Sequence, residues 1–261
     1  MKKRKPARHS HGQTQGSRNS GGAFWLYGLH AARAALINPR RKIRRAVVSE
    51  RAAIEFRALL AKVPDVSMAA LDTIVRLLPA GAVHQGIAML CEPLPELDLG
   101  AAIEGENAGS RLVAVLDQVT DPHNEGAILR SAAAFGVTAV VVQDRHAPVE
   151  SGVLAKAASG ALDIIPRVTV VNIARALEEL GRLGFWRMAL AADGETSIGE
   201  AAPPGDAVLV LGAEGAGLRR LVRERCDIAV FIPMTGDMES LNVSNAAAIV
   251  FYELRRQNPR R

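Results

Sequence analysis

The sequence predicts an α/β protein in which a small α/β domain precedes a larger domain built on a parallel sheet. Three observations predict this fold class. Segments of strand-forming and helix-forming residues alternate along most of the chain. The strand segments from Arg111 onward are apolar throughout, as expected when helices cover both faces of a parallel sheet. Polar clusters follow three of these strands, which is where open α/β sheets bind ligands.

Bulk composition allows a sizeable core, since 49% of the 261 residues are apolar. No apolar stretch approaches the ~20 residues of a membrane helix, and no signal-peptide core is present, so we expect a cytoplasmic protein without a membrane partner. Cys91 and Cys226 are far apart, and the six histidines are scattered. Neither pattern has metal-ligand spacing, so no metal is expected.

Positive charge is concentrated at the N-terminus. Residues 1–49 contain 12 Lys and Arg and no acidic residue, which leaves 20 basic and 27 acidic residues over 50–261, a balance of −7. Residues 1–22 have little to bury and are predicted to be a disordered basic tail. The asymmetry favours a nucleic-acid partner, and a solvated tail is the alternative.

Residues 23–92 alternate between helix and strand patterns and are predicted to form the small domain. The predicted elements are a helix from Gly28 to Asn38, a strand Arg45–Val48, helices Ala52–Lys62 and Leu71–Leu78, and a strand Val83–Leu90. Residues 93–110 are rich in Pro, Gly and acids, which is typical of a partly flexible linker.

Residues 111–261 continue the alternation and are predicted to form the parallel-sheet domain. Predicted strands are Leu112–Leu116, Thr138–Val142, Val168–Val171, Arg187–Ala191, Ala207–Leu211 and Ile228–Ile232. Predicted helices are Glu125–Phe135, Val149–Ala158, Ala174–Leu183, Leu218–Glu224 and Val243–Arg256.

The first polar cluster runs from Asp121 to Gly126 and is followed by Arg130. Asn124 is placed to cap the helix, its side-chain oxygen accepting from a free amide. Arg130 lies six residues later, about 120° around the helix from Asn124. Its neighbours are apolar, so a solvated arginine without a function is disfavoured at this position.

The second cluster, Gly212 to Gly217, has the order G-x-x-G-x-G, which differs from the dinucleotide-binding G-x-G-x-x-G. Its glycines would let backbone approach a ligand, and a plain tight turn is the alternative. The third cluster follows Ile232-Pro233-Met234 and runs from Ser240 to Asn245. It contains more Ser and Asn than one helix cap needs.

Together the three clusters resemble the motifs of the SpoU/TrmH family, the SPOUT-type RNA ribose 2'-O-methyltransferases that use S-adenosylmethionine. The segments that carry the resemblance are Asp-Pro-His-Asn-x-Gly-Ala-x-x-Arg, Leu-Gly-x-Glu-Gly-x-Gly, and Ile-Pro-Met followed by Ser-Leu-Asn-Val-Ser. The resemblance covers about residues 24 to 256. It implies a deep trefoil knot in the C-terminal domain and a ribosomal-protein-like RNA-binding domain before it.

The resemblance also implies residue roles. The catalytic residues would be Asn124, Arg130, Glu214, Ser240 and Asn242. The residues that bind the methyl donor would be Leu211, Gly212, Gly217, Ile232, Met234 and Leu241. In the family the arginine is proposed as a general base. Because a guanidinium with a pKa above ~12 is a poor proton acceptor at neutral pH, we expect Arg130 instead to grip the substrate phosphate and stabilise charge on the 2'-oxygen.

The resemblance further implies a homodimer that transfers a methyl group to RNA. The N-terminal domain and the Ile-Pro-Met form favour a guanosine of 23S rRNA as target. A tRNA ribose methyltransferase and a catalytically idle RNA-binding protein are the alternatives, and the presence of all five catalytic residues disfavours the idle protein.

Overall fold

The computed structural model describes residues 22–104, 109–235 and 240–257. The predicted basic tail lies almost entirely outside these residues. The N-terminal unit contains four strands and four helices: β1 Phe24–Tyr27, α1 Leu29–Ile37, β2 Ile43–Val48, α2 Glu50–Glu55, α3 Arg57–Leu60, β3 Val66–Met68, α4 Leu71–Val75 and β4 Ile87–Cys91. Its sheet has the order β1-β4-β2-β3, in which β4 is antiparallel to both neighbours and β2 is parallel to β3.

The second unit begins with helix α5, Leu99–Ile103. Its strands are β5 Leu112–Leu116, β6 Ala139–Gln143, β7 Arg167–Val170, β8 Trp186–Leu190, β9 Thr196–Ser197, β10 Ala207–Leu211 and β11 Ile228–Phe231. Its helices are α6 Pro122–Ala134, α7 Gly152–Ala158, α8 Ile173–Arg182, α9 Arg220–Arg223 and α10 Val243–Gln257, with a 3-10 turn at Ala161–Asp163.

The larger sheet has seven strands in the order β7-β6-β5-β10-β8-β11-β9, and every adjacent pair is parallel. Both faces are buried. Along β5, Leu112 and Ala114 face one hydrophobic cluster, whereas Val113 and Val115 face the other. Helices α6, α7 and α10 pack on the first face and α5, α8 and α9 on the second. The predicted α/β class with a covered parallel sheet is confirmed.

Several predicted element bounds are wrong for local reasons. The strand predicted from Val83 begins at Ile87, because Gln85 and Gly86 both have positive φ and cannot continue an extended chain. The helix predicted over Ala52–Lys62 is two short helices that meet at Phe56, where φ is −100° and ψ is 11°. Strands β1, β3 and β9 were not predicted.

The segment predicted as linker also contains structure. Leu99 to Ile103 form α5, whose N-cap Asp98 accepts a hydrogen bond from the Ala101 amide at 2.9 Å. Leu99, Ala102 and Ile103 are buried against the sheet. This part of the segment is therefore a covering helix of the second unit. Residues 105–108 lie outside the described residues.

Candidate functional site at the carboxyl end of the sheet

The structure brings three of the predicted site residues into direct contact. Asn124 follows β5, Glu214 follows the adjacent strand β10, and Asn242 follows β11. The Asn124 Nδ2 donates to Glu214 Oε1 at 3.2 Å, and the Asn242 Nδ2 donates to Asn124 Oδ1 at 3.0 Å and to Glu214 Oε1 at 2.5 Å. Side chains from segments up to 118 positions apart thus form one hydrogen-bonded group, the Asn-Glu-Asn triangle.

Asn242 has two roles, one for each end of its side-chain amide. Its Oδ1 accepts from the Ser244 amide at 3.0 Å and the Asn245 amide at 3.4 Å, which caps α10. The Ser244 hydroxyl also donates to this oxygen. With Oδ1 held by the helix, the Nδ2 must point at Asn124 and Glu214. Capping therefore orients the donor that completes the triangle.

Asn124 does not cap its helix, so that prediction is wrong. The helix begins two residues earlier, at Pro122, because the fixed φ of proline suits the first helical position. Asp121 is the cap and accepts from the His123 amide at 2.9 Å. Asn124 therefore lies inside the first turn of α6, and its side chain is free to join the triangle.

The glycine loop is a tight turn that presents Glu214. Ala213 and Gly217 form a two-way backbone bridge, with N to O distances of 3.0 and 3.2 Å. A side chain at Gly212 would put its Cβ 2.4 Å from the Gly217 carbonyl carbon, and Gly215 and Gly217 have positive φ. The glycines permit this close folding of the loop on itself, and the predicted contact of Gly212 and Gly217 with the methyl donor stays a prediction. The turn nevertheless places Glu214 in the triangle.

An ion pair with one buried partner, missed in the sequence, anchors the end of this loop. Asp117 is fully buried after β5, and its carboxylate accepts from the Arg219 Nε at 2.7 Å and the Arg219 amide at 3.0 Å. The Arg219 Nη2 also donates to the Gln143 side chain at 2.7 Å. Nothing in the local pattern of residues predicts a pair 102 positions apart. The pair fixes the glycine loop between the carboxyl ends of β5, β6 and β10.

Glu125, next to Asn124, faces the interior and is fully buried. Burial raises the pKa of its carboxyl, which the neighbouring Arg167 guanidinium opposes. The Arg167 Nε donates to Glu125 at 2.5 Å, and its Nη2 donates to the Pro148 carbonyl at 2.8 Å. This pair fixes the first turn of α6, and with it the position of Asn124.

Two predicted catalytic residues lie outside the triangle. Arg130 is exposed on α6, and within the described ranges no hydrogen bond or ion pair holds its guanidinium. Ser240 is also exposed and follows residues 236–239, which are outside the described residues. The structure therefore leaves both side chains available to a ligand without assigning them a partner.

The predicted donor-binding residues supply apolar surface beside backbone polar groups. The Met234 and Leu241 side chains are 40% and 37% exposed. The backbone amides of Ile232 and Leu241 donate to no acceptor in the described part of the chain. Leu211 is buried, and its carbonyl accepts from the Asp117 amide. Exposed apolar side chains next to amides that have no acceptor among the described residues fit a nucleoside, whose base has apolar faces and a polar edge.

Among the described residues, no cluster of His, Cys, Asp or Glu could hold a metal ion. None of the helices in the same ranges is both long and apolar enough to span a membrane.

Comparison with known proteins places this geometry in one family. The model of the SpoU rRNA Methylase family matches residues 111–252. A 23S rRNA (guanosine-2'-O-)-methyltransferase RlmB from Coxiella burnetii is 39% identical over 242 residues, which covers 89% of this chain and 95% of that protein.

Two solved structures extend the comparison. The SpoU methyltransferase AviRb from Streptomyces viridochromogenes, in complex with the cofactor AdoMet, has a TM-score of 0.76 and 26% identity over 90% of each chain. A TrmH/SpoU tRNA modifying enzyme from A. aeolicus has a TM-score of 0.51 and 30% identity, and it covers 57% of this chain and 78% of its own. The matched family region contains all three polar clusters. The chain belongs to the SpoU rRNA methylase family.

Proposed function

We propose that the chain transfers the methyl group of S-adenosylmethionine to the ribose 2'-hydroxyl of a guanosine in 23S rRNA. The observation that carries this proposal is the Asn-Glu-Asn triangle, which unites the three family motifs at the carboxyl end of the sheet. The full-length likeness to a 23S rRNA guanosine methyltransferase supports the choice of substrate.

S-adenosylmethionine supplies a methyl group on a sulfonium, so the protein must align donor and hydroxyl and needs no metal for this. The exposed Met234 and Leu241 would pack on the adenine. The Ile232 and Leu241 amides, which donate to no described residue, would donate to its polar edge. Leu211, Gly212 and Gly217 would border the donor from the other side, where Asp117 and Arg219 hold the loop.

In the reaction, the bond between the 2'-oxygen and the methyl carbon forms as the sulfur–carbon bond breaks, and the hydroxyl proton leaves to solvent. Arg130 would bind the phosphate of the target nucleotide and stabilise the negative charge that develops on the 2'-oxygen. None of the described residues pairs with its guanidinium, which supports this role. The triangle and Ser240 would position the ribose.

Coverage favours rRNA over tRNA as the substrate. The rRNA methyltransferase relative aligns with 89% of the chain, which must include part of the N-terminal unit. The tRNA modifying structure aligns with 57%. A substrate that needs the N-terminal unit is therefore favoured, with residues 23–92 binding RNA and the basic tail adding phosphate contacts.

We further propose that the protein is a cytoplasmic homodimer with a C-terminal trefoil knot. Strand β10 lies between β5 and β8, both of which precede it in the chain, as expected if the chain returns through an earlier loop. On α10, Ile249 and Tyr252 are exposed and form an apolar stripe. The ring centroids of Tyr252 and of Phe135, the residue after α6, are 5.9 Å apart. A second copy covering this stripe would remove it from water.

The test is methyl transfer to defined RNA. The full chain should bind S-adenosylmethionine in calorimetry and transfer its labelled methyl group to unmodified 23S rRNA. Nuclease digestion should then yield 2'-O-methylguanosine. Label on tRNA alone would support the alternative substrate, and calorimetry without heat together with no transfer would support an idle RNA-binding protein.

A further inference from the structure

A buried ion-pair cluster joins the N-terminal unit to the second unit, which is the methyltransferase unit. Arg41, just before β2, has a side chain with 0% exposure. Its Nε donates to Asp163 in the 3-10 turn at 2.7 Å, and its Nη1 donates to Glu150 before α7 at 2.8 Å. Asn38 also donates to Asp163, at 3.1 Å. The hydrogen bonds of this cluster join residues that are 109 to 125 positions apart in the sequence.

The same cluster holds the start of the connection between the units. The Arg41 Nη1 donates to the Glu92 carbonyl at 2.9 Å. The Leu94 amide donates to both carboxylate oxygens of Glu150, at 3.2 and 3.3 Å. The residues on both sides of Pro93 are thus fixed by the Arg41 guanidinium and by its ion-pair partner Glu150. Hydrogen bonds therefore hold this part of the predicted linker.

Close backbone contacts reinforce the junction. A Cβ at Gly152 in α7 would lie 2.3 Å from the Trp25 carbonyl oxygen, and one at Gly160 would lie 2.9 Å from the His30 carbonyl oxygen. Both glycines belong to the methyltransferase unit. One hydrophobic cluster contains buried residues of both units, such as Leu26 and Leu154. The junction is therefore packed like a protein interior.

A gain in stability alone does not explain this buried ion-pair cluster. Buried ion pairs often stabilise a protein no better than apolar residues of similar volume. Here the Arg41 Nη2 is also buried without a partner in the described ranges. A buried guanidinium fork does, however, impose a particular orientation, because its donors satisfy acceptors on both units and on the connection between them.

We propose that Arg41 is a positioning residue that locks the N-terminal unit onto the methyltransferase unit, so that RNA held by the first reaches the active site at a fixed distance. This rests on the proposed function, in which residues 23–92 bind the RNA. If the lock opens, only the fraction of molecules that is correctly docked binds RNA productively, and the apparent KM rises by the inverse of that fraction.

The test compares Arg41→Met, Arg41→Lys and the control Arg225→Met in the full chain. Arg225 is 47% exposed and pairs with Glu178 at the surface of the methyltransferase unit. Hydrogen exchange at the Leu94 amide and proteolysis after residue 92 report docking. Calorimetry with S-adenosylmethionine and steady-state methylation of 23S rRNA report function.

We expect Arg41→Met to remove protection at Leu94 and to raise the KM for RNA by about tenfold or more, with donor affinity and kcat within about twofold of wild type. Arg41→Lys should have an intermediate effect, and Arg225→Met should match wild type. The proposal is overturned if Leu94 stays protected, if docking is lost while KM is unchanged, or if kcat falls at constant KM, as for a merely misfolded fraction. Failure of the wild-type chain to methylate RNA would instead overturn the proposed function.

Discussion

Asn242→Asp separates the two roles of Asn242 in a single nearly isosteric change. Asp ranks with Asn as a helix cap, so Oδ1 should still accept from the Ser244 and Asn245 amides. The Nδ2, which donates to Asn124 and Glu214, is replaced by a carboxylate oxygen. The variant should therefore keep α10 and break the triangle.

The expected magnitudes follow from these contacts. A hydrogen bond to a charged group contributes about 1.5–3 kcal/mol, and the lower end applies because the triangle is open to solvent. About 1.5 kcal/mol corresponds to roughly a tenfold fall in rate if the triangle positions the ribose in the transition state. The same lost hydrogen bond should lower the free energy of unfolding by about 1.5 kcal/mol, and Asn242→Ala should cost about 1 kcal/mol more through the lost cap.

The assay is single-turnover methyl transfer to 23S rRNA, with chemical denaturation of both variants alongside. Adding Glu214→Gln to Asn242→Asp restores a donor opposite the new carboxylate and should recover part of the rate. A wild-type rate in folded Asn242→Asp would refute the catalytic role of the triangle. Equal destabilisation of the Asp and Ala variants would refute the capping argument.

Three further predictions concern other parts of the chain. Arg130→Lys should lower the single-turnover rate about tenfold or more, because the fork geometry is lost, while calorimetry shows unchanged donor binding; a near-wild-type rate would contradict this. Gly212→Ala should weaken donor binding at least about tenfold, because its Cβ would meet the Gly217 carbonyl, and unchanged affinity would show that the loop tolerates the shift. Burial of Asp206 favours its neutral form, but hydrogen bonds from Arg111 outweigh this and hold the pKa of Asp206 below its usual value. The resulting stability is present above the unfolded pKa of ~3.9 and is lost as pH falls through the folded pKa. Asp206→Asn should therefore cost about 1 kcal/mol at pH 7 and progressively less as the pH falls below about 4, with methylation unaffected; a pH-independent difference would contradict this.

The sequence predicts the sheet well because its signal is local. Apolar runs such as Ala207–Leu211 and helix patterns such as Ala174–Leu183 need no knowledge of distant partners. The predicted ends of helices and strands are less accurate where the backbone conformation decides them, as at Gln85 and Gly86. Short edge strands such as Thr196–Ser197 have too few residues to show a period.

For the site, the resemblance of the three motifs to the SpoU/TrmH family was sufficient to nominate Asn124, Glu214 and Asn242. Their hydrogen bonds were not predictable, and Asn124 was assigned to a cap that Asp121 provides. The supporting pair of Asp117 and Arg219 was missed because either residue alone resembles an ordinary surface charge. Only the fold brings these side chains together and buries one of them.

The most direct test of the account is a crystal structure of the chain with S-adenosylmethionine and a short RNA that contains the target guanosine. We predict the donor against Leu211, Ile232 and Leu241, with the target 2'-oxygen facing its methyl group beside the Asn-Glu-Asn triangle and Arg130 of either protomer on the adjacent phosphate. A donor bound elsewhere, or a ribose held away from both Asn242 and Arg130, would contradict the account.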